Sequence, residues 1–586
     1  MHLTIKREQI GQAKVVFEHD GRKDYDHAEG NGLEVFVYGY PYHNVNRAWI
    51  SARQVSHYYL QNGLDFVTGM DGSYAITILD KQKGRCLVII DRYGVYNLLY
   101  TTHGDNLVIS DNMGELLAEL PKVSINRRSL LEFLNFGYIL GIKTHIEGVY
   151  QFKPAAVHTI SSGLHITENS YWQFVTQEGG VPSRALTREE LRTLFNQNIL
   201  ATLQLGEKIS LPLTGGLDSR VTFSACLPEK ERLHCYTHGI EGCLDIEIAR
   251  KIAAMVGIPH DVYTINKEWI KNIPQIAERH AEALDGRINA ILSAHLDNSL
   301  TNEVNRGEVF LTGIGGEMLR WYYTHDGFLG LTSHEEVAAT LRERIQRTAS
   351  FDVYTDYDST EVKQLLDSSM LETIKDTTIK DPCRLVEYYY IHNTVFNFDS
   401  PQVRMVGRHF KIFNPYLNAR IMESIPFFND EDKMNRGLHK YMISKNSPQI
   451  ASVPTSQEEV DGIREEIARM RKAGFKHPLY KRAANKLTRE LFGRELFRLR
   501  STRLSSPILR STDYPSWLPR YHKEYVTGVL NNDRMILKEF FNKGELNSAV
   551  NLFLSGEGKL CYFVTNIMTL EIWLRKMNER TKIEIH

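Results

Sequence analysis

Between residues 208 and 264, short apolar runs and helical stripes take turns, and this alternation limits the fold more than any other feature of the chain. KISLPLT is a compact apolar strand, residues 218–227 suit a helix, and LHCYTH is a second strand. Residues 245–256 then carry Ile246, Ala249, Ala253 and Val256 on one helical stripe, which Gly257 ends. HDVYTI and, after a helical stretch, EVFLTGIGG supply further strands. The pattern predicts a parallel sheet covered on both faces, with ligands at the carboxyl ends of its strands.

The first 175 residues read differently. LEVFVYGYP, GSYAITILD and CLVIIDRYG are strands enriched in β-branched and aromatic residues, and hairpin turns are predicted at His103-Gly104-Asp105 and around Ser161-Ser162-Gly163. Helical pattern is confined to residues 53–61 and 129–136. The polar stretch 176–190 contains Gly, Pro and a helix start in Thr187 followed by Glu190, and is assigned as the boundary. The expected organisation is an α+β domain over 1–175 and an α/β domain over 187–586. The latter is mainly helical from about residue 381, and Phe563, Ile567, Leu570, Leu574 and Met577 mark one buried helical stripe near its end.

Composition removes several function classes. Lys and Arg number 70 against 71 Asp and Glu, so the net charge of −1 supplies no global attraction to nucleic acid or anionic lipid. Apolar runs such as 87–90 fall far below the roughly 20 residues of a membrane span. The opening MHLTIKREQIGQ lacks the apolar core of a signal peptide, and a cytoplasmic protein is expected. The six cysteines form no CxxC pair and read as reduced, mostly buried thiols. His234, Cys235, His238 and Cys243 suggest zinc, but strand alternation sets Cys235 on the opposite face from the two histidines.

The chemistry-bearing string is LPLTGGLDSR at 211–220, between a strand and a helix. Its glycines let backbone approach a ligand, and the following helix turns unpaired N–H groups toward an anion. Thr214 and Ser219 add hydroxyls, and Asp218 offers a carboxylate for Mg²⁺ against phosphate oxygens. These residue types describe a pyrophosphate cradle; a plain strand-to-helix turn is the alternative. The Gly-Lys-Ser/Thr ending of a γ-phosphoryl-transfer loop is missing.

This string resembles the loop of the PP-loop ATP pyrophosphatases, with Thr214 in place of the usual first serine. DRYGVYNLLY at 91–100 is similar to the glutaminase domain of asparagine synthetases. LDIEIARKIAAMVGIPH at 244–260, TGIGGEMLRWYY at 312–323 and LHKYMISK at 438–445 resemble, in order, later segments of their synthetase domain. The resemblance implies an Ntn-type glutaminase-like sandwich followed by a PP-loop synthetase domain. It also implies ATP and Mg²⁺ as cofactors and an adenylation reaction that yields an amide, AMP and pyrophosphate. On this basis Thr214, Gly215, Gly216, Leu217, Asp218 and Ser219 form the pyrophosphate loop, and Gly313 and Gly315 belong to a second nucleotide loop. Asp218 and Glu317 are the metal ligands, and Lys440 is the catalytic cation, with a solvated surface lysine as its alternative.

The chain also departs from that family. Its glutamine-hydrolysing members use an N-terminal cysteine after Met1, whereas here His2 follows and no cysteine precedes Cys86. The Asn-Gly-Glu glutamine signature is missing, with Val-Tyr-Gly-Tyr at residues 37–40 in that area, so an inactive glutaminase is expected. The partners are then a carboxylate and either ammonia or an amine on a small molecule, glycan or peptide, as in the related β-lactam synthetases and lasso-peptide cyclases. A lasso-peptide-type macrolactam cyclase is one alternative; Ile314 stands where asparagine-forming members tend to have an acid and the β-lactam former a tyrosine, which keeps a non-catalytic nucleotide-binding scaffold as another. Residues 464–510 hold fourteen Lys or Arg against four Asp or Glu, an amphipathic basic helix or a dock for a large anion. No RNA-binding motif accompanies them, and a homo-oligomer is allowed.

Overall fold

A computed structural model describes residues 2–6, 14–16, 23–174, 186–202, 206–304, 306–347, 353–472, 511–530 and 532–581. Most of the boundary assigned at 176–190 and most of the basic segment, residues 473–510, lie outside the described residues.

Two antiparallel sheets make the N-terminal half. The first has five strands in the order β2-β1-β8-β7-β9, with β1 His2–Lys6, β2 Lys14–Val16, β7 Leu99–His103, β8 Asn106–Ser110 and β9 Val149–Gln151. The second runs β11-β10-β6-β5-β4-β3, with β3 Tyr25–Gly30, β4 Leu33–His43, β5 Met70–Asp80, β6 Arg85–Ile90, β10 Ala156–Ile160 and β11 Ile166–Ser170. Both expected hairpins form, as β7–β8 and β10–β11. Along β4 the side chains alternate: Phe36 and Tyr38 join Leu3, Ile5 and Ile109 of the other sheet in one core. Val35 and Val37 pack on the opposite face, in a cluster shared with the helix Ala52–Asn62.

The third sheet is parallel, as the alternation predicts, with order β14-β13-β12-β15-β16. Its strands are β12 Ile209–Pro212, β13 Leu233–Gly239, β14 His260–Thr264, β15 Val309–Leu311 and β16 Lys411–Phe413. The chain steps outward from β12 to β14 and then returns to lay β15 on the other side of β12. This reversal leaves a crevice beyond the carboxyl ends of β12 and β15. After residue 381 the described chain is mainly helical, as expected, and includes the strand β16, whose three residues are too few to show a period in the sequence.

The two halves share their interior. Leu3 and Ile109 belong to the same buried cluster as Leu211 and Leu311. The helix Cys561–Thr581 buries the predicted stripe, and its Asn566 donates to Phe133 O (3.1 Å) while accepting from Asn289 (2.6 Å). Trp573 of the same helix is fully buried. All six cysteines are buried and none takes part in a disulfide. No helix among the described residues is long and apolar enough to cross a membrane. Because Trp573 joins elements of both halves, Trp573→Ala should cost about 3–5 kcal/mol in urea denaturation. The circular dichroism and fluorescence transitions should coincide, since one core serves both halves.

Candidate active site

At the carboxyl end of β12 the chain turns through residues 213–217 into the helix Asp218–Cys226. The turn is wired internally. Thr214 N donates to Ser219 Oγ (3.1 Å), the two hydroxyls lie 2.9 Å apart, and Gly216 N donates to Thr214 Oγ1 (3.2 Å). Outside partners hold Gly215: its N–H donates to Asp245 Oδ1 (3.1 Å), and its carbonyl accepts from Ser456 N (3.1 Å) and Arg220 (3.2 Å). No side chain caps the helix, so its first-turn N–H groups remain open to an anion.

The second loop leaves β15 and brings Glu317 beside Asp218. Gly316 makes this approach feasible, because a Cβ there would lie 2.8 Å from Asp218 Oδ1. Gly315 sits at φ +88° with Leu417 against it, so it serves the turn itself. Three groups then converge on the carboxylates. Arg320 Nη2 lies 3.1 Å from Asp218 Oδ2 and 3.9 Å from Glu317 Oε1. His439 Nε2 donates to Asp218 Oδ1 (2.7 Å), and Tyr390 donates to Glu317 Oε2 (2.9 Å).

The electrostatics separate the two acids. Burial works to raise the Asp218 carboxyl, but His439 and Arg320 outweigh it and hold it below the usual carboxylate range. Glu317 goes the other way, pushed up to about 7 by burial and by the Asp218 charge, with Arg320 opposing. Burial and the Glu317 charge likewise push Asp399 up. Two carboxylates around one cation suit a hard divalent ion, which takes few protein oxygens and completes its shell with phosphate and water. Among the described residues no third His, Cys, Asp or Glu joins them as a metal cluster.

Most of the residues expected from the sequence therefore meet in one place: Thr214 to Ser219 form the first loop, and Gly313, Gly315 and Glu317 the second. Lys440 sits apart. Its side chain is more than half exposed and its ammonium lies 3.2 Å from Glu458 Oε1, on the segment whose Ser456 braces Gly215. The neighbouring His439 is the residue of that helix that reaches Asp218. Sequence reasoning missed it, although a histidine on the buried face shared by Leu438, Met442 and Ile443 was a usable signal. Arg320 was visible as the basic residue three positions after Glu317. Tyr390 and Asp399 gave no signal, because they lie on a π-helix, Tyr390–Asp399, whose period no helical template matches.

The fold and site define a class: an antiparallel glutamine-amidotransferase-type half fused to a parallel-sheet nucleotide-loop half. Residues 190–575 match the asparagine synthase family and residues 52–172 match the glutamine amidotransferase domain family. The chain belongs to the asparagine synthase family. It is 21% identical over 337 residues to the glutamine-hydrolysing asparagine synthetase of Gallus gallus, covering 54% of this chain and 56% of that one. Asparagine synthetase 1 of Bacillus subtilis is 22% identical over 208 residues, 35% of this chain and 33% of its own. The amidase chry2 of Gibberella zeae is 22% identical over 233 residues, 36% and 34% of the two chains. The matched regions thus span between a third and somewhat over half the length of these relatives.

The raised Glu317 carboxyl has a consequence for stability. Its ordinary value is 4.5, so between there and about 7 the folded protein holds a proton that the unfolded chain releases. The stability of the ligand-free protein should fall as pH rises through that window. Glu317→Gln removes the titration: in thermal melts the variant should match the parent near pH ~4.5 and exceed it near pH ~8.

Proposed function

We propose that the protein activates a carboxylate with ATP and transfers the acyl group to an amine, releasing AMP and pyrophosphate. The observation that carries this reading is the meeting of the two loops at Asp218 and Glu317, in a member of the asparagine synthase family. A carboxylate oxygen attacks the α-phosphorus and the bond to the bridging oxygen breaks. Pyrophosphate leaves with the charge. The amine nitrogen then bonds to the acyl carbon, AMP departs, and the surplus proton passes to solvent.

This chain's residues act mainly on the departing charge. The open N–H groups of the first helical turn and the Thr214 and Ser219 hydroxyls bind the pyrophosphate oxygens, an arrangement worth most when that charge is greatest. Asp218 and Glu317 would hold Mg²⁺, which offsets charge on the phosphates when bound. Lys440 serves as a second cation by exchanging Glu458 for a phosphate oxygen. Arg320, already between the carboxylates, keeps them together before the nucleotide binds.

We read the N-terminal half as a fold without glutaminase activity. No cysteine occurs among residues 1–85, and Cys86 lies fully buried in β6 with its thiol pushed up by burial. The amine is then ammonia or belongs to a second substrate. In an assay of AMP and pyrophosphate, turnover should require a carboxylate, and Asp218→Asn should lower kcat by about 10²–10³-fold. Release of glutamate from glutamine should stay at background. A glutamate signal abolished by a thiol-alkylating reagent would refute the inactive-glutaminase reading.

A further inference from the structure

A cavity of about 910 Å³ lies among the C-terminal helices, with Asp245, Leu292, His295 and Arg347 completing its wall. Asp245, which holds Gly215 N, forms one wall and ties the cavity to the first loop. Arg347 forms another. Its Nη1 donates to Tyr562 OH (2.6 Å), and its guanidinium lies over the Phe398 and Tyr562 rings at 5.1 and 4.8 Å. Phe398 lies on the π-helix whose Tyr390 donates to Glu317, so this wall is linked to the second loop through that helix. The cavity is thus tied to the first loop by Asp245 and to the second by the π-helix behind Arg347.

Leu292, Pro515, Leu552 and Leu560 give it an apolar wall, alongside the polar Ser511, Thr512, Tyr514 and Lys559. Leu552 is 51% exposed, a large apolar side chain with no cover from the described residues. Glu557, also in the lining, has a buried Oε1 without a hydrogen-bond partner among the described residues. A buried acceptor of this kind calls for a donor.

Resting on the adenylation reading above, we infer that this cavity binds the acid to be activated, and that the acid is a peptide-like carboxylate with apolar side chains. The volume lies near the top of the roughly 300–1,000 Å³ range of ligand pockets and exceeds what a free amino acid would fill. A sugar acid gains nothing from Leu292, Pro515, Leu552 and Leu560, whereas the apolar side chains of a peptide leave water against them. A plain fatty acid offers Glu557 no donor, whereas a peptide N–H does. Arg347, held rigid between two rings, faces the carboxylate end.

The test is ATP–pyrophosphate exchange by the full chain with three probes: N-acetyl-Leu-Phe-Asp, free aspartate and glucuronate. Exchange with the peptide should exceed the other two at least about tenfold, as expected for added apolar contacts. Leu552→Lys, at an exposed position that tolerates it, should raise the peptide KM about tenfold and leave the ATP KM unchanged. Glu557→Gln should raise the peptide KM as well. Equal or greater exchange with aspartate or glucuronate overturns the inference while sparing the adenylation reading, as does an unchanged peptide KM in both variants. Exchange with none of the probes, with calorimetric ATP binding retained, overturns the inference as well. Failure to bind ATP overturns both.

Discussion

The parallel pairing of β12 with β15 is the constraint on which the rest of the site depends. Ile209 pairs with Val309 and Ser210 with Phe310, so both strands point their carboxyl ends at one crevice. Loops separated by about a hundred residues of sequence leave side by side. Gly316 then allows the second loop to close on Asp218. Arg320 offsets the repulsion of two acids forced together, a task whose magnitude grows as water is excluded. Loop wiring, helix N-terminus and carboxylates would be unrelated features if the strand order were sequential.

The N-terminal half contributes to this geometry without carrying the proposed chemistry. The segment after β16 is gripped from the N-terminal side: Asn414 donates to Ser73 (2.9 Å), and Asp71 accepts from Asn418 (2.8 Å) and Ala419 N (2.9 Å). On its other side the same segment supports both loops. Thr312 donates to Asn414, Tyr416 donates to the Asp218 carbonyl (2.8 Å), and Leu417 packs at Gly315. The π-helix is bridged similarly, through Gln151 to Asn397 (2.9 Å) and Gly141 N to Asn393 (3.0 Å). The N-terminal half thus has a mechanical role, because its removal would leave these buried polar groups unpaired.

Much of this was legible before any coordinates. The strands of both halves, the two hairpins, the parallel sheet and the buried terminal helix follow from period and turn chemistry, which are local properties. Thr214 to Ser219 and Glu317 were legible because glycines, hydroxyls and acids at the end of a strand have few other uses. His439 was obscured by its neighbour Lys440: a lysine suggests phosphate binding, while the position on the helix face decides which side chain reaches inward. Tyr390 and Asp399 were hidden by a helix type without a sequence period, and β16 by its length.

The sequence by itself determined the element types and the chemical character of the two loops, because each depends on residues close together along the chain. The tertiary structure alone decided that Asp218 and Glu317 share Arg320, that their acidities diverge, and that a cavity runs from Asp245 to Arg347. Those properties are distances and burial between segments far apart in sequence, and strand order, not composition, sets them.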